Sequence, residues 1–515
     1  MPVTTGATEF VLPPAPANCP LRIGAPEDFA RIRAFLARAG YADDVALCRT
    51  LDIPKISDLV RVDWDNTPLD TLPRELDLLL QLFVRAVLAA ETELTEVFGA
   101  ESLAAFLSLG LLQRSERHPG YLMATVWLSP VDGYVAISDL TVNPEGDDFQ
   151  PFDDAVFPAI EALTLEFLHF MPDAKGGDAL DLCGGSGIGA LHLARTARLA
   201  VSADLTPRSA FFAAFNGLLN DTPIVSGCGD LYTPVAGQQF DLITAHPPYV
   251  PEIGRRAIYR DGGEAGETIT RRVIEELPRH LRPGGTCVIV GYARDTNAKL
   301  FEQRARDWLG TAGQEFDVIF GVDRTQSIEE VAESQRRRLE VDDVAAELRR
   351  FSQRLRDLDT RQFSHGVLMM RRKSGPVSTP PLRVRTTAKA SPADFERMFA
   401  WRERRRQPGF QGWLANTKPR LAPHLELRTR QVVKDGRLVD SEITFEVERE
   451  LAASLRLERW IVAVVGKLDG RQSVVERFNA SHQTGDFPKG FPLEAFTELI
   501  DVMIERGFLE LDLPA

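Results

Sequence analysis

Asp178-Ala179-Leu180-Asp181-Leu182-Cys183-Gly184-Gly185-Ser186-Gly187-Ile188-Gly189 decides the fold of this 515-residue chain. A short apolar run, 179–183, meets a turn built from Gly184, Gly185, Gly187 and Gly189. A helical pattern, Ala190–Arg195, follows at once. Strand, glycine turn and helix together open a nucleotide-binding α/β fold. The glycines let the backbone turn tightly and approach a ligand that a Cβ would keep away.

Downstream the same alternation continues. The pattern predicts strands at Leu199–Leu205, Ile224–Cys228, Phe240–Ala245, Thr286–Tyr292, Glu315–Val322 and His365–Arg372. It predicts helices at Arg208–Leu219, Glu267–Leu281 and Thr296–Leu309. Such βαβα order means a parallel sheet with helices on both faces. Residues 327–361 read as a charged helical insertion, in which Arg336-Arg337-Arg338 and Arg349-Arg350 alternate with acidic residues as on a solvated hairpin.

Upstream, residues 1–20 are rich in Pro, Ala and Thr and read as a loose arm. Residues 21–150 give helices at Pro26–Ala39, Ala42–Leu51, Pro73–Ala90 and Glu101–Leu109. Two strands follow, Tyr121–Leu128 and Gly133–Ile137, and this is a winged-helix-like order. The central domain spans 151–373. Ser374–Leu382 is a linker by composition. Residues 383–515 form a C-terminal α+β, winged-helix-like module with a hairpin around Lys434-Asp435-Gly436. In it, Phe395–Trp413 mixes aromatics with Arg402 and Arg404-Arg405-Arg406. That mixture suits an RNA groove, but a core helix with a basic outer face gives the same pattern and is the preferred reading.

Composition is globular, with 44% hydrophobic and 26% charged residues, and the formal net charge is −14. An acidic chain is not a general nucleic-acid binder. The five cysteines show no paired spacing, so neither structural zinc nor another metal site is expected. No basic-then-apolar leader and no run of ~18 apolar residues is present, so the reading is a cytoplasmic protein without membrane contact.

Asp204 ends the second strand, where a carboxylate accepts hydrogen bonds from ribose hydroxyls. Asp230, in Gly227-Cys228-Gly229-Asp230-Leu231, is placed to accept from an adenine amino group. His246-Pro247-Pro248-Tyr249 ends the fourth strand. With the glycine turn these features share the edge beyond the carboxyl ends of the strands, where open α/β sheets bind ligands. Either Asp taken alone also fits a strand-end cap. No GxxxxGK[ST] accompanies the turn. Carboxylates for ribose and adenine without a phosphate cradle point to S-adenosylmethionine.

Residues of about 178–373 resemble the class I S-adenosylmethionine-dependent methyltransferases. Within them they are similar to the branch of protein-glutamine N5-methyltransferases and ribosomal RNA guanine-N2 methyltransferases. DLCGGSGIGAL, VSADLTPRSAFFAAFNGLLN, SGCGDLYTPVAGQQFDLITAHPPYVP and RDGGEAGETITRRVIEELPRHLRPGG carry the resemblance. It implies a Rossmann-like seven-stranded sheet and S-adenosyl-L-methionine as methyl donor. It implies Asp181, Cys183, Gly185 and Gly187 around the methionine part, Asp204 at the ribose and Asp230 at the adenine. The catalytic loop would be His246, Pro247, Pro248 and Tyr249. Tyr259, Arg260, Asp261 and Glu264 follow it, either closing over the acceptor or forming a solvated loop.

Two positions depart from the family pattern. Cys183 stands where a glycine is usual, and His246 where Asn, Asp or Ser is usual. In the family the Asn side chain and the next carbonyl aim the acceptor nitrogen's lone pair at the methyl group. A neutral His offers one acceptor nitrogen and also works as a base near neutral pH. His246 therefore holds a planar amide or base nitrogen, or acts as a general base for another nucleophile, or marks a domain that has lost catalysis. The leading expectation is N-methylation of a protein or peptide side chain. The alternatives are RNA base N-methylation, a small-molecule acceptor with His246 as base, and a non-catalytic scaffold.

Overall fold

Asp178–Leu182 (β1) is a strand buried along its whole length, as the centre of a parallel sheet requires. The other strands are Leu199–Asp204 (β2), Val225–Cys228 (β3), Phe240–Ala245 (β4), Leu281–Thr296 (β5), Phe316–Gln326 (β6) and Thr360–Arg372 (β7). The computed structural model describes residues 3–5, 8–10, 13–64, 71–146, 149–150, 152–254, 257–339, 341–376 and 379–511. They belong to two compact units, residues 1–316 with 325–377, and residues 317–324 with 378–515.

In the first unit the strand order is β3-β2-β1-β4-β5-β7. All are parallel except β7, which runs against β5 from Thr286↔Arg371 to Thr296↔Thr360. The chain runs from β1 out to β3, then returns to lay β4 on the other side of β1. The order reverses between β1 and β4, and open sheets hold their ligands beyond such a switch point. Six of the seven expected strands lie here, while residues 317–324 of β6 belong to the second unit. The long pairing with β7 carries β5 past its expected end at Tyr292 and shortens the next helix to Phe301–Trp308.

The helices Ile188–Ala194 (α1) and Pro207–Leu219 (α2) follow β1 and β2. Thr206 caps α2, its hydroxyl accepting from the Ser209 N–H at 3.0 Å. Phe211, Phe212 and Phe215 of α2 lie in one core with the front of the chain, where Phe29 meets Phe215 edge-on at 5.1 Å. Asn216 and Asn220, one turn apart, act on the strand Tyr134–Asp139 as a neighbouring strand would. Their side-chain oxygens accept from the Ile137 and Val135 N–H groups at 2.8 Å. Their amides donate back to the same residues' carbonyls at 3.3 and 2.8 Å. Buried Arg208 donates to Asp139 at 2.7 Å.

The front differs from expectation in several places. The helix predicted over Pro73–Ala90 is Arg74–Phe83, and Ala86 takes a left-handed φ of 52° beyond it. The single predicted hairpin is two: Leu112–Arg114 with Tyr121–Ala124, and Val126–Val131 with Tyr134–Asp139. Pro119-Gly120 makes the first turn.

The insertion is a helical hairpin, Ile328–Ser334 and Val344–Asp357. Its apolar side packs on Ile253 and Phe363. Its outer charges pair locally, as Arg336–Glu333 and Arg350–Glu347. No helix among the described residues is long and apolar enough to cross a membrane.

In the second unit, β6 pairs in parallel with Leu382–Thr386 (β8) from Ile319↔Leu382 to Val322↔Arg385. The hairpin Glu426–Lys434 (β9) and Arg437–Glu448 (β10) is followed by Leu451–Arg456 (β11). Helices Pro392–Arg405 and Leu493–Glu505 supply much of the core, with Trp401, Phe496, Ile500 and Met503 buried.

Candidate active site

The turn after β1 is tight on one side and open on the other. A Cβ on Gly189 would lie 2.4 Å from the Asp181 carboxylate, and one on Gly184 would lie 2.2 Å from the Ser202 hydroxyl. A Cβ on Gly187 would lie 2.6 Å from that of Ala213. Gly185, at φ +53°, has nothing within 4 Å of an added Cβ. That opening suits close approach of a ligand to backbone. Cys183 takes a φ of 57°, the conformation for which a glycine is usual.

Asp181 is 1% exposed and lies beneath this turn. It accepts the Thr244 hydroxyl at 2.9 Å. Burial pushes its carboxyl up to about 7, with the nearby Asp204 charge adding and the Thr244 bond opposing. Asp181 therefore braces the turn from below. Asp204 ties the end of β2 to the same turn, accepting from the Gly185 N–H at 2.9 Å and the Thr206 N–H at 3.2 Å. Burial raises its pKa against those bonds. Asp230 lies further out and pairs with Arg272 at 2.7 Å.

His246 follows β4 directly, so it stands beside the glycine turn at the switch point. Its ring stacks on Phe167 at 5.3 Å and lies 5.7 Å from the Tyr249 ring. The row continues through Tyr292 to His365, with centroids 5.5 and 4.7 Å apart. A Cβ on Gly291 would lie 2.6 Å from Tyr249, so the absent side chain seats that ring against β5. Burial, helped by the nearby His365, lowers the His246 pKa to about 4. The ring is neutral at physiological pH. Its Nε2 is buried and has no hydrogen-bond partner among the described residues. An unsatisfied buried polar atom costs about 1–3 kcal/mol, so this nitrogen is fit to receive a partner from a bound molecule.

The segment after the loop clasps it from outside. The Val250 N–H donates to the Arg260 carbonyl at 3.0 Å, and the Gly262 N–H donates to the Val250 carbonyl at 2.9 Å. Arg260 and Asp261 pair with each other at 2.7 Å. Tyr259 stacks on Phe157 at 5.1 Å.

Residues 160–313 match the methyltransferase small domain family. A candidate protein N5-glutamine methyltransferase of Methanocaldococcus jannaschii is 30% identical over 158 residues, 29% of this chain and 79% of that protein. The chain belongs to the methyltransferase family whose methyl donor is S-adenosylmethionine. The ribosomal protein uL3 glutamine methyltransferase of Bradyrhizobium diazoefficiens is 30% identical over 181 residues, 30% of this chain and 56% of that protein. The chain thus spans about half the length of that relative. Among solved structures, a T. thermophilus 16S rRNA N2 G1207 methyltransferase in complex with AdoMet and guanosine aligns at 17% identity. The alignment covers 56% of this chain and 63% of that one, with a TM-score of 0.27.

Within the methyltransferase domain, Cys183, Gly185, Gly187, Asp204, Asp230 and the loop 246–249 all come to the predicted edge. Asp181 does so from underneath. Phe167, Tyr292 and His365 escaped the sequence reading. They lie on a helix and two strands whose apolar periodicity explains them as core, and only the fold brings their rings to His246. His192 is engaged by Asp132 at 2.7 Å.

In the second unit the basic residues of 395–413 are committed internally. Arg402, 2% exposed, donates to Asp317 at 2.6 Å and to Glu505 at 3.0 Å. Arg405 pairs with Asp501 at 2.8 Å, and Arg404 lies 3.7 Å over the Trp413 ring. These contacts give the stretch the character of a core helix rather than of an RNA groove.

Proposed function

We propose that this methyltransferase N-methylates a planar amide nitrogen, that of a glutamine-type side chain on a protein. The observation that carries the reading is His246, a neutral ring beside the glycine turn whose buried Nε2 has no partner among the described residues. S-adenosylmethionine supplies a methyl group on a positively charged sulfur. Gly185 leaves room for its approach, and Asp204 and Asp230 offer carboxylates to ribose and adenine. With its proton on Nδ1, His246 accepts an N–H of the acceptor at Nε2. The Pro247 carbonyl takes the second N–H, and the Tyr249 ring covers the amide plane. Alignment of the nitrogen lone pair is then the main contribution to rate.

A pKa of about 4 makes His246 a poor base for activating a hydroxyl or an amine at neutral pH. A nitrogen-methylated amide that still carries its extra proton is a far stronger acid than this imidazolium, so Nε2 is adequate to remove that proton after transfer. The protein relatives named above, together with the internally paired cations of the second unit, favour a protein over RNA.

The test is transfer of tritiated methyl from S-adenosylmethionine into separated protein, RNA and small-molecule fractions of a cell extract, with His246→Ala as control. The expected result is label in protein, released by acid hydrolysis as methylamine and lost with the variant. Label confined to RNA would overturn the reading.

A further inference from the structure

The second unit ends in an arm that its own fold does not use. Strand β9 is the outermost of its sheet. Strand β11 supports β10 only from Thr444↔Arg456 to Glu448↔Ala452. Beyond Thr444 the hairpin of β9 and β10 is, among the described residues, two strands alone, and a free two-stranded hairpin is marginally stable in water. All nine residues of β9 are exposed. The tip carries cross-strand apolar pairs on both faces, Val433↔Leu438 and Val432↔Val439. Their exposures are 71%, 67%, 40% and 38%. Exposed aliphatic side chains clustered in this way mark an interaction site. An unpaired edge strand is a template for another strand.

We propose that β9 pairs with β9 of a second copy of this chain, antiparallel about a two-fold axis at Arg430. In that register the two ends of the strand complement each other. Glu426 of one copy faces Lys434 of the other, and Leu427, 51% exposed, faces Val433. The tip pair Val433–Leu438 then lies beside Leu427 and the buried Phe445 at the root of the partner arm. Arg430 meets its own copy at the axis. Each Arg430 is already opposite Glu442 on its own hairpin, so acidic residues bracket the like charges on both sides. The bulge of this hairpin places its extra residue, Ser441, on the inner strand, which leaves β9 unbroken for pairing. Such isologous edge pairing is a closed two-fold contact.

The experiment is sedimentation velocity of the full chain from 1 to 50 μM, with three variants. The wild type is expected to sediment as a dimer at the upper concentrations, and Val433→Asp as a monomer with an unchanged circular dichroism spectrum. Under mild oxidation in a Cys228→Ser background, Arg430→Cys is expected to cross-link to itself, because facing strand residues lie within disulfide reach. Val433→Cys, which would face Leu427, is expected not to. A wild type that stays monomeric throughout overturns the proposal. So does a dimer that Val433→Asp leaves intact, or equal cross-linking of the two cysteine variants.

Discussion

The sharpest consequence of the site concerns the charge on His246. In water such a ring has a pKa of 6.5, and here burial and His365 bring it to about 4. At ~1.4 kcal/mol per pK unit the pocket resists charging the ring by about 3 kcal/mol. At pH 6.5 the folded protein then has roughly one ring in 300 protonated, where a free histidine would have half. The folded value is the depressed one, so the neutral ring's contribution to stability is intact above 6.5. It is lost as pH falls from 6.5 towards 4, where the unfolded chain takes up the proton first. Single-turnover methyl transfer at saturating S-adenosylmethionine is therefore expected to show no inflection from this residue between pH 5.5 and 8, and to decline only as pH nears about 4. His246→Asn keeps an acceptor and is expected to remain within about tenfold of wild type at pH 7, with the acid decline removed. His246→Ala leaves the acceptor nitrogen unaligned and is expected to lose about 100-fold. An inflection between pH 6 and 7 that disappears in His246→Asn would make the residue a general base and refute the reasoning.

Four further outcomes follow from the geometry. Gly189→Ala drives a Cβ into the Asp181 carboxylate and is expected to abolish S-adenosylmethionine binding by calorimetry. Gly185→Ala meets no protein atom and is expected to weaken binding while costing only the ~1–2 kcal/mol of a left-handed alanine. Cys183→Gly relieves a left-handed side chain, so denaturant unfolding is expected to show a gain of up to ~1 kcal/mol with cofactor affinity within a few-fold of wild type; a loss above that size contradicts the strain. Asp139→Ala strands the 1% exposed Arg208, and a cost of about 3–5 kcal/mol is expected in the same assay, against little change for Glu333→Ala at the solvated Arg336 pair.

The central strands and glycine turn were legible because a parallel sheet is built from short local signals: an apolar run, a turn, a helical period. Asp204, Asp230 and His246 were legible for the same reason, since the end of each strand delivers its residue to one edge. The front was less legible. Arg74–Phe83 ends without a glycine or proline, at an alanine forced into the left-handed region. The pairing of Asn216 and Asn220 with a strand has no sequence period at all. The Arg-rich aromatic stretch at 395–413 has two readings in one dimension, and its partners, buried Asp317 and half-buried Glu505, favour the core helix.

Sequence alone determined the family fold and the sheet edge at which the proposed site lies, because these depend on residues close together in the chain. Tertiary structure alone decided that His246 is neutral. Its pKa is lowered by loss of water against Phe167 and by the proximity of His365, residues distant in sequence that a folded sheet brings to one ring.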